Sequence, residues 1–266
     1  MGPRQEKEPK PVSGRNVESE SCLSASGERG LSRRGELMLV AALVAYGAVM
    51  WVWGAGRGDF LSTMETSRAI ATRGMVRTGD YVVPRLGLEI YLAKPPLFYW
   101  AAALTSQLWG EVNEASVRLV SALCAMGTML LVYAAVRRVF DAATGLAAAA
   151  VTATTPMIFE QATIGMVNMM LTLGTSVAMF ASFRVMETSR REWRHGIVCG
   201  LGLAVGMMTK GPVVLLFFVP TVLLYAGFLR RWRLVLDWRW VAALLVMALL
   251  CAAWPILLIR RFPLDD

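Results

Sequence analysis

Long stretches without charge alternate with short polar clusters along most of this chain. Six stretches hold no Asp, Glu, Lys or Arg: residues 37–56, 119–136, 142–159, 161–183, 211–229 and 240–259. Each is about as long as a bilayer-crossing helix, which needs roughly 17–25 residues. Two shorter stretches, 95–110 and 196–209, are ambiguous by length. The pattern predicts an all-α integral membrane protein, because a soluble protein cannot bury six such runs.

Arginine clusters between the apolar runs predict which helix ends share a side of the membrane. Arg137 and Arg138 follow one run, three arginines lie in 190–195 and four lie in 230–239. Basic loops stay in the cytoplasm, so we expect these three inside and the uncharged turn around Asn168 outside. The alternation predicts about seven transmembrane helices in a multi-pass protein of the cell inner membrane, with a cytoplasmic N-terminus.

The same alternation leaves residues 57–118 outside as the first outer loop. Run 95–110 then starts and ends on one side, and its length and aromatic side chains suit a helix lying in the membrane interface. A second interfacial helix is predicted over 62–77, where an apolar stripe recurs at helical spacing (Met64, Ala69, Ala71 and Met75). The open alternative is that 95–110 crosses, which would place all three arginine clusters outside.

Composition supports the membrane class and excludes others. Of the 266 residues, 56% are hydrophobic and 17% charged, against roughly 45–50% and about 25% in soluble proteins. The net charge of +8 lies at helix ends, so nucleic acid is not expected as a partner. His195 is the only histidine, which excludes a multi-histidine metal site within this chain, and no cysteine pair has metal-ligand spacing (Cys22, Cys124, Cys199, Cys251).

The first part of the chain differs from the rest. Residues 1–35 are polar, rich in Pro, Ser, Gly, Glu and Arg, and show no helical periodicity. Segments of this composition bury too little apolar surface to fold. We expect a disordered cytoplasmic tail there, followed by a membrane domain over 36–266.

Lys94 is the first candidate for chemistry in the outer loop. Pro95 and Pro96 follow it directly, and proline is favoured in the first turn of a helix, whose free amides attract anions. A lysine beside such a helix start can bind a phosphate. It can equally extend its ammonium group from apolar surroundings to the headgroup region, and the residues alone leave both interpretations open.

Five segments together resemble a known family. GDYVVPRL (79–86) and YLAKPPLFYW (91–100), followed by NEASVRLVSAL (113–123), RRVFDAATGLAAAA (137–150) and MTKGPV (208–213), resemble the polyprenol-phosphate-dependent glycosyltransferases of the C-type fold. That group includes the aminoarabinose transferases of lipid A and the protein O-mannosyltransferases. The resemblance implies an enzyme that moves a sugar from a polyprenyl-phosphate donor to a lipid or protein acceptor on the outer face, in cell-envelope glycosylation.

The resemblance also implies site residues. Charge builds on the leaving phosphate as the glycosidic bond breaks and needs cations to stabilise it; Lys94, Arg118 and Lys210 match that role. Glu65, at the start of the first interfacial helix, matches a catalytic carboxylate, and Asn168 stands at a catalytic position in the second outer turn. The alternatives are a helix-end charge for Arg118 and a dipole-stabilised helix-start acid for Glu65.

Two positions depart from the family pattern. Met64 and Asn168 stand where members usually carry Asp, and an asparagine cannot act as a base. The alternative function is therefore a non-catalytic or truncated paralogue that binds the lipid carrier or a partner subunit. A secondary transporter would show duplicated halves, and we see no internal repeat. These residues identify no cofactor with certainty, and the use of a divalent cation stays open.

Overall fold

The computed structural model describes residues 32–56, 58–59, 62–187, 192–230 and 232–261, and these are mostly helical. The α-helices within these ranges are α1 Arg33–Gly47, α2 Thr63–Thr78, α3 Leu97–Ser106, α4 Glu114–Val139, α5 Ala142–Thr154, α6 Pro156–Thr163, α7 Asn168–Glu187, α8 Trp193–Lys210, α9 Val213–Phe228 and α10 Arg239–Arg261. Helix α1 continues as a π-helix over Ala48–Trp53, and a 3-10 helix covers Trp232–Leu236. The predicted all-α class is confirmed.

Two features near the first part of the chain differ from the prediction. Helix α1 begins at Arg33, capped by the Ser32 hydroxyl, which accepts a hydrogen bond from the Gly35 amide at 3.1 Å; the predicted tail 1–35 is therefore too long by several residues, and its remainder lies outside the described residues. A two-stranded antiparallel hairpin, β1 Arg85–Leu86 and β2 Glu89–Ile90, was not predicted.

Several helices are long and apolar enough to cross a membrane. Within the described ranges they are α1 with its π-helical continuation, α4, α7 and α10, and the pair α5–α6 would make a fifth span. Helix α4 has 26 residues and a length of about 39 Å, which exceeds a hydrocarbon core of about 30 Å. The count of about seven spans stays a prediction, because α8 and α9 are not among the helices that are long and apolar enough to cross.

A break divides the apolar run 142–159 into two helices. Helices α5 and α6 meet at Thr155 with a bend of 60°. Proline lacks an amide hydrogen and disfavours a helical residue before it, and Thr155 is accordingly extended (ψ 123°) while Pro156 begins α6. The single apolar run of the sequence is therefore two helices in the structure.

One end of the helix bundle collects most of the arginine clusters, and we call it the basic face. There Arg137, at the end of α4, pairs with Glu36 of α1 at 2.8 Å. Tyr225, near the end of α9, donates to Glu187, the last residue of α7, at 2.6 Å. The starts of α1, α8 and α10 thus lie beside the ends of α4, α7 and α9, as the positions of the arginines predicted.

The opposite end carries the segment between α1 and α4, and we call it the loop face. Helix α2 covers nearly the same residues as the helix predicted over 62–77. The Ser62 hydroxyl caps its start by accepting a hydrogen bond from the Glu65 amide at 3.2 Å. Gly79 (φ 70°) caps its end. Its stripe is buried except for Met64, which is 62% exposed. Helix α3 has 10 residues, about 15 Å, a length that suits an interfacial helix.

Candidate functional site

A buried ion pair links two helix starts at the loop face. Arg118, in the first turns of α4, contacts Glu65, in the first turn of α2, through two hydrogen bonds: Nε to Oε1 at 2.8 Å and Nη2 to Oε2 at 3.2 Å. The side chains are 1% and 0% exposed. Such bidentate pairing fixes the relative orientation of the guanidinium and carboxylate planes and excludes solvent from the carboxylate. The sequence suggested both residues but not that they bind each other.

Arg118 also holds the chain between α1 and α2. Its guanidinium donates to the backbone carbonyls of Ala55 at 3.3 Å, Gly58 at 3.1 Å and Asp59 at 2.7 Å. With Glu65, these acceptors account for all three guanidinium nitrogens. The expectation that Arg118 offers its charge to a lipid phosphate is thus corrected for this conformation, because the group is enclosed by protein acceptors.

Glu65 reaches a third segment of the loop face. Its Oε1 accepts a hydrogen bond from the amide of Gly165 at 2.7 Å, in the turn between α6 and α7. A Cβ at Gly165 would lie 2.6 Å from Val117 Cγ1 and 3.1 Å from Glu65 Oε1, so a glycine is needed there. Arg118 and this turn therefore enclose the Glu65 carboxylate, which the resemblance matched to a catalytic group.

Lys210 and Asn168 are in direct hydrogen-bond contact, which the sequence did not predict. The Lys210 ammonium, at the end of α8, donates to Asn168 Oδ1, at the start of α7, over 3.0 Å. The Asn168 amide donates in turn to Gln161 Oε1 at 2.7 Å, which fixes the orientation of the amide. No carboxylate pairs with Lys210 in the described part of the chain, so its positive charge is not neutralised there.

Lys94 lies just before α3, which begins after Pro96. Its side chain is half-buried, and neither a hydrogen bond nor an ion pair holds it within the described residues. Helix α3 packs against α8, the helix that carries Lys210. The contact between these helices is compatible with two cations serving one anion, and the convergence of the two ammonium groups remains a prediction.

Arg68 and Tyr99 are two buried polar residues to which sequence reasoning assigned no role. Arg68 is 4% and Tyr99 0% exposed, and Arg68 Nε and Tyr99 Oη lack hydrogen-bond partners in the described structure. Burial, with Tyr91 nearby, raises the pKa of the Tyr99 phenol, so it stays protonated. Tyr99 stands in segment 91–100, which carries part of the family resemblance, whereas Arg68 lies outside the resembling segments.

No group of three His, Cys, Asp or Glu residues that could hold a metal ion occurs within the described ranges. The loop-face carboxylates that are described are dispersed or paired. Glu65 pairs with Arg118, and Asp80 pairs with Arg261 of α10 at 2.8 Å.

Comparison with known proteins decides the family. The sequence profile described as dolichyl-phosphate-mannose-protein mannosyltransferase matches residues 93–256, more than half of the chain. The chain belongs to this family. The matched part includes Lys94, Arg118, Asn168 and Lys210, whereas Glu65 precedes it.

Relatives and solved structures agree with the family. The undecaprenyl phosphate-alpha-4-amino-4-deoxy-L-arabinose arabinosyl transferase of Pseudomonas aeruginosa strain UCBPP-PA14 is 31% identical over 228 residues, covering 84% of this chain and 40% of that protein. ArnT from Cupriavidus metallidurans bound to undecaprenyl phosphate superposes with a TM-score of 0.75 at 24% identity, covering 85% of this chain and 42% of that one. The chain therefore has the multi-pass fold of these membrane proteins.

A more distant structure shares the fold. The Saccharomyces cerevisiae protein O-mannosyltransferase Pmt1–Pmt2 complex bound to the sugar donor has a TM-score of 0.58 at 18% identity, with 89% of this chain and 34% of that chain covered. This chain spans about two fifths of the length of the transferase from Pseudomonas aeruginosa. The fold is therefore common to proteins that differ widely in sequence.

Proposed function

We propose that this chain is the donor-binding membrane portion of a glycosyltransferase that moves a sugar from a polyprenyl-phosphate donor to a lipid or protein acceptor. One observation carries the proposal: Lys94 and Lys210 both lie at the loop face, within the family-matched segment, without a carboxylate partner in the described part of the chain. Unneutralised cations in a membrane protein are costly and are generally functional. A lipid phosphate would compensate them.

The proposed chemistry follows from charge. Cleavage of the bond between the sugar and the phosphate leaves negative charge on the phosphate oxygen, and a cation positioned there lowers the barrier. Lys94 stands at the start of α3, whose first amides also favour an anion. Asn168 orients the Lys210 ammonium through its fixed amide. We propose these residues as the phosphate site, with Lys94 and Lys210 as its cations.

The proposed place of the reaction is the outer side of the cell inner membrane. The arginine clusters favour a cytoplasmic position for the basic face, which puts the loop face outside and the N-terminus in the cytoplasm. The similarity to aminoarabinose transferases favours a lipid acceptor such as lipid A, and the family description favours a protein acceptor. Both acceptors belong to the cell envelope.

Glu65 is a proposed base only if the ion pair opens. In the described conformation its carboxylate is bound by Arg118 and Gly165, and a general base must come within hydrogen-bond reach of the proton that it takes. Donor or acceptor binding would have to separate Glu65 from Arg118 first. If the pair stays closed, Glu65 and Arg118 position the loop face and do not take part in proton transfer.

Binding of undecaprenyl phosphate to the purified chain in detergent micelles tests the proposal. Lys94→Ala and Lys210→Ala should each weaken binding roughly ten-fold or more, because a hydrogen bond to a charged group contributes about 1.5–3 kcal/mol. Arg77→Gln is the matched control, since this exposed cation lies on the loop face and has no place in the site. Equal loss in all three variants would indicate surface charge alone and contradict the proposal.

Transfer of a radiolabelled sugar from undecaprenyl phosphate in membranes separates the two functions. A transferase releases undecaprenyl phosphate and labels an acceptor, and both lysine variants lower that rate. A non-catalytic relative binds the lipid with the same lysine dependence and transfers nothing. Lysine-dependent binding without transfer would thus favour the carrier-binding alternative.

A further inference from the structure

A cavity of about 600 Å³ opens at the basic face, on the opposite end of the molecule from the proposed phosphate site. Its walls come from α4, α7, α8 and α9. Along α4 it extends from Leu131 to Phe140, a distance of about 13 Å. A volume of this size lies within the range of ligand sites, about 300–1,000 Å³.

The lining of the cavity is apolar except at its rim. Val177, Phe180 and Val198 are typical of the walls. The basic side chains of Arg138, Arg184 and His195 lie at the rim. Among the described residues that line it, none is Asp or Glu. The cavity therefore combines an apolar interior with positive charge.

The arginines of the rim differ from their neighbours in pairing. Arg137, Arg194 and Arg239 on the same face each have a carboxylate partner, at 2.8, 2.7 and 2.9 Å. Arg138 and Arg184 have no ion-pair partner in the described part of the chain. Unpaired guanidinium groups above an apolar cavity are complementary to a phosphate carried on an acyl chain.

We propose that this cavity binds one anionic phospholipid of the leaflet at the basic face. Its phosphate contacts Arg138 and Arg184, and one acyl chain lies between α4, α7, α8 and α9. Two carboxylates lie beside lining residues: Glu187 accepts a hydrogen bond from Tyr225, which holds it beside the α9 wall, and Glu192 lies 3.9 Å from His195 Nε2 and also binds Arg194. The site would anchor the ends of these helices and is separate from donor binding at the loop face.

Native mass spectrometry of the purified chain from nanodiscs containing equal phosphatidylglycerol and phosphatidylcholine tests this site. We expect one phosphatidylglycerol to be retained in preference to phosphatidylcholine. Arg138→Gln combined with Arg184→Gln should reduce that preference roughly 30-fold, about five-fold for each basic residue near an anionic lipid. Arg233→Gln is the control, because this exposed arginine lies on the basic face but does not line the cavity. Both arginines of the rim are exposed, so the variants should fold.

A second pair of variants tests the apolar part. Val198 lines the cavity and is 43% exposed, whereas Leu201 on the same helix is 44% exposed and does not line it. Val198→Trp should displace the acyl chain and lower retention, and Leu201→Trp should not. Equal retention of the two lipids, loss of preference in Arg233→Gln as large as in the double variant, or displacement of the lipid by undecaprenyl phosphate would overturn the proposal.

Discussion

Asn168 gives Lys210 a partner without removing its charge. The amide oxygen lies 3.0 Å from the ammonium, and the amide nitrogen is held by Gln161. A carboxylate at the same place would form an ion pair with Lys210 and neutralise it before any lipid arrived. The departure from Asp, which suggested lost function in the sequence, is therefore compatible with a stronger anion site. Sequence alone did not show this because the three residues come from different elements.

Asn168→Asp should weaken binding of undecaprenyl phosphate about ten-fold, because the new carboxylate competes for the Lys210 ammonium within ion-pair distance. Isothermal titration in detergent micelles measures the effect. Gln161→Glu is the control. It adds the same negative charge to the residue that binds Asn168 and not Lys210, and its carboxylate can still accept the hydrogen bond from the Asn168 amide. Binding by Asn168→Asp as tight as that of the parent would show that Lys210 does not serve the phosphate.

The Glu65–Arg118 pair shows the limit of residue-by-residue prediction. The family resemblance selected both residues, and Glu65 lies in the first turn of its helix as expected, after the N-cap at Ser62. Their 53-residue separation gave no sign of direct contact. Pairing of distant side chains depends on how α2, α4 and the α6–α7 turn pack, and local sequence does not encode that arrangement separately.

Glu65→Gln should destabilise the chain by about 3–5 kcal/mol, because it leaves the buried Arg118 charge uncompensated. Equilibrium unfolding in mixed micelles with rising dodecyl sulphate measures this loss. Combining Glu65→Gln with Arg118→Met should recover part of the stability, since no isolated charge then remains. A Glu65→Gln chain with parental stability but transfer reduced by roughly 10²-fold or more would instead identify Glu65 as the base.

At the scale of elements, apolar runs predicted where helices occur better than where they end. The run 142–159 became two helices because of Pro156, a signal that was visible in the sequence. The run 161–183 includes the end of α6 and the turn before α7, since uncharged residues can form a turn at a membrane face as well as a helix. The hairpin that begins at Arg85 depends on Gly87 (φ 66°). It lies among turn residues, so the pattern of apolar positions did not predict it.

Helix α8 packs through glycines on two sides. Gly202 faces the backbone of α7, where a Cβ would lie 2.6 Å from the Ala178 amide nitrogen, and Gly200 faces α10, where a Cβ would lie 2.5 Å from the Ala243 oxygen. Small residues let helix backbones approach closely in membranes, where packing drives association. The glycine spacing was visible in the sequence, but the partner helices were not.

Gly200→Val should push α10 away from α8 and lower stability by about 1–3 kcal/mol or more, the usual cost of overpacking. Gly54→Ala is the control, because nothing lies within 4 Å of a Cβ at that helical position. Unfolding in mixed micelles measures both variants. Equal stability of Gly200→Val and the parent would mean that the α8–α10 contact is looser than the structure indicates.

For the whole molecule, arginine positions predicted the grouping of helix ends correctly. The pairing of Glu36 with Arg137 and the enclosure of Arg118 at the other end of α4 establish two opposite faces. The sequence did not predict that α10 holds the turn after α2. Trp254 donates to the Val82 carbonyl at 2.8 Å, and Arg261 pairs with Asp80, contacts across 172 and 181 residues.

Cysteine labelling tests the orientation of this whole arrangement. In a cysteine-free background, Glu111→Cys lies just before α4 at the loop face, and Arg138→Cys lies near the other end of the same helix; both positions are exposed. The helix between them is about 39 Å long, more than a hydrocarbon core of about 30 Å. An impermeant maleimide should therefore label Glu111→Cys in intact cells and label Arg138→Cys only after permeabilisation. The reverse pattern would put the arginine-rich ends outside and remove Lys94 and Lys210 from the outer leaflet. Labelling of both in intact cells would show that α4 does not cross.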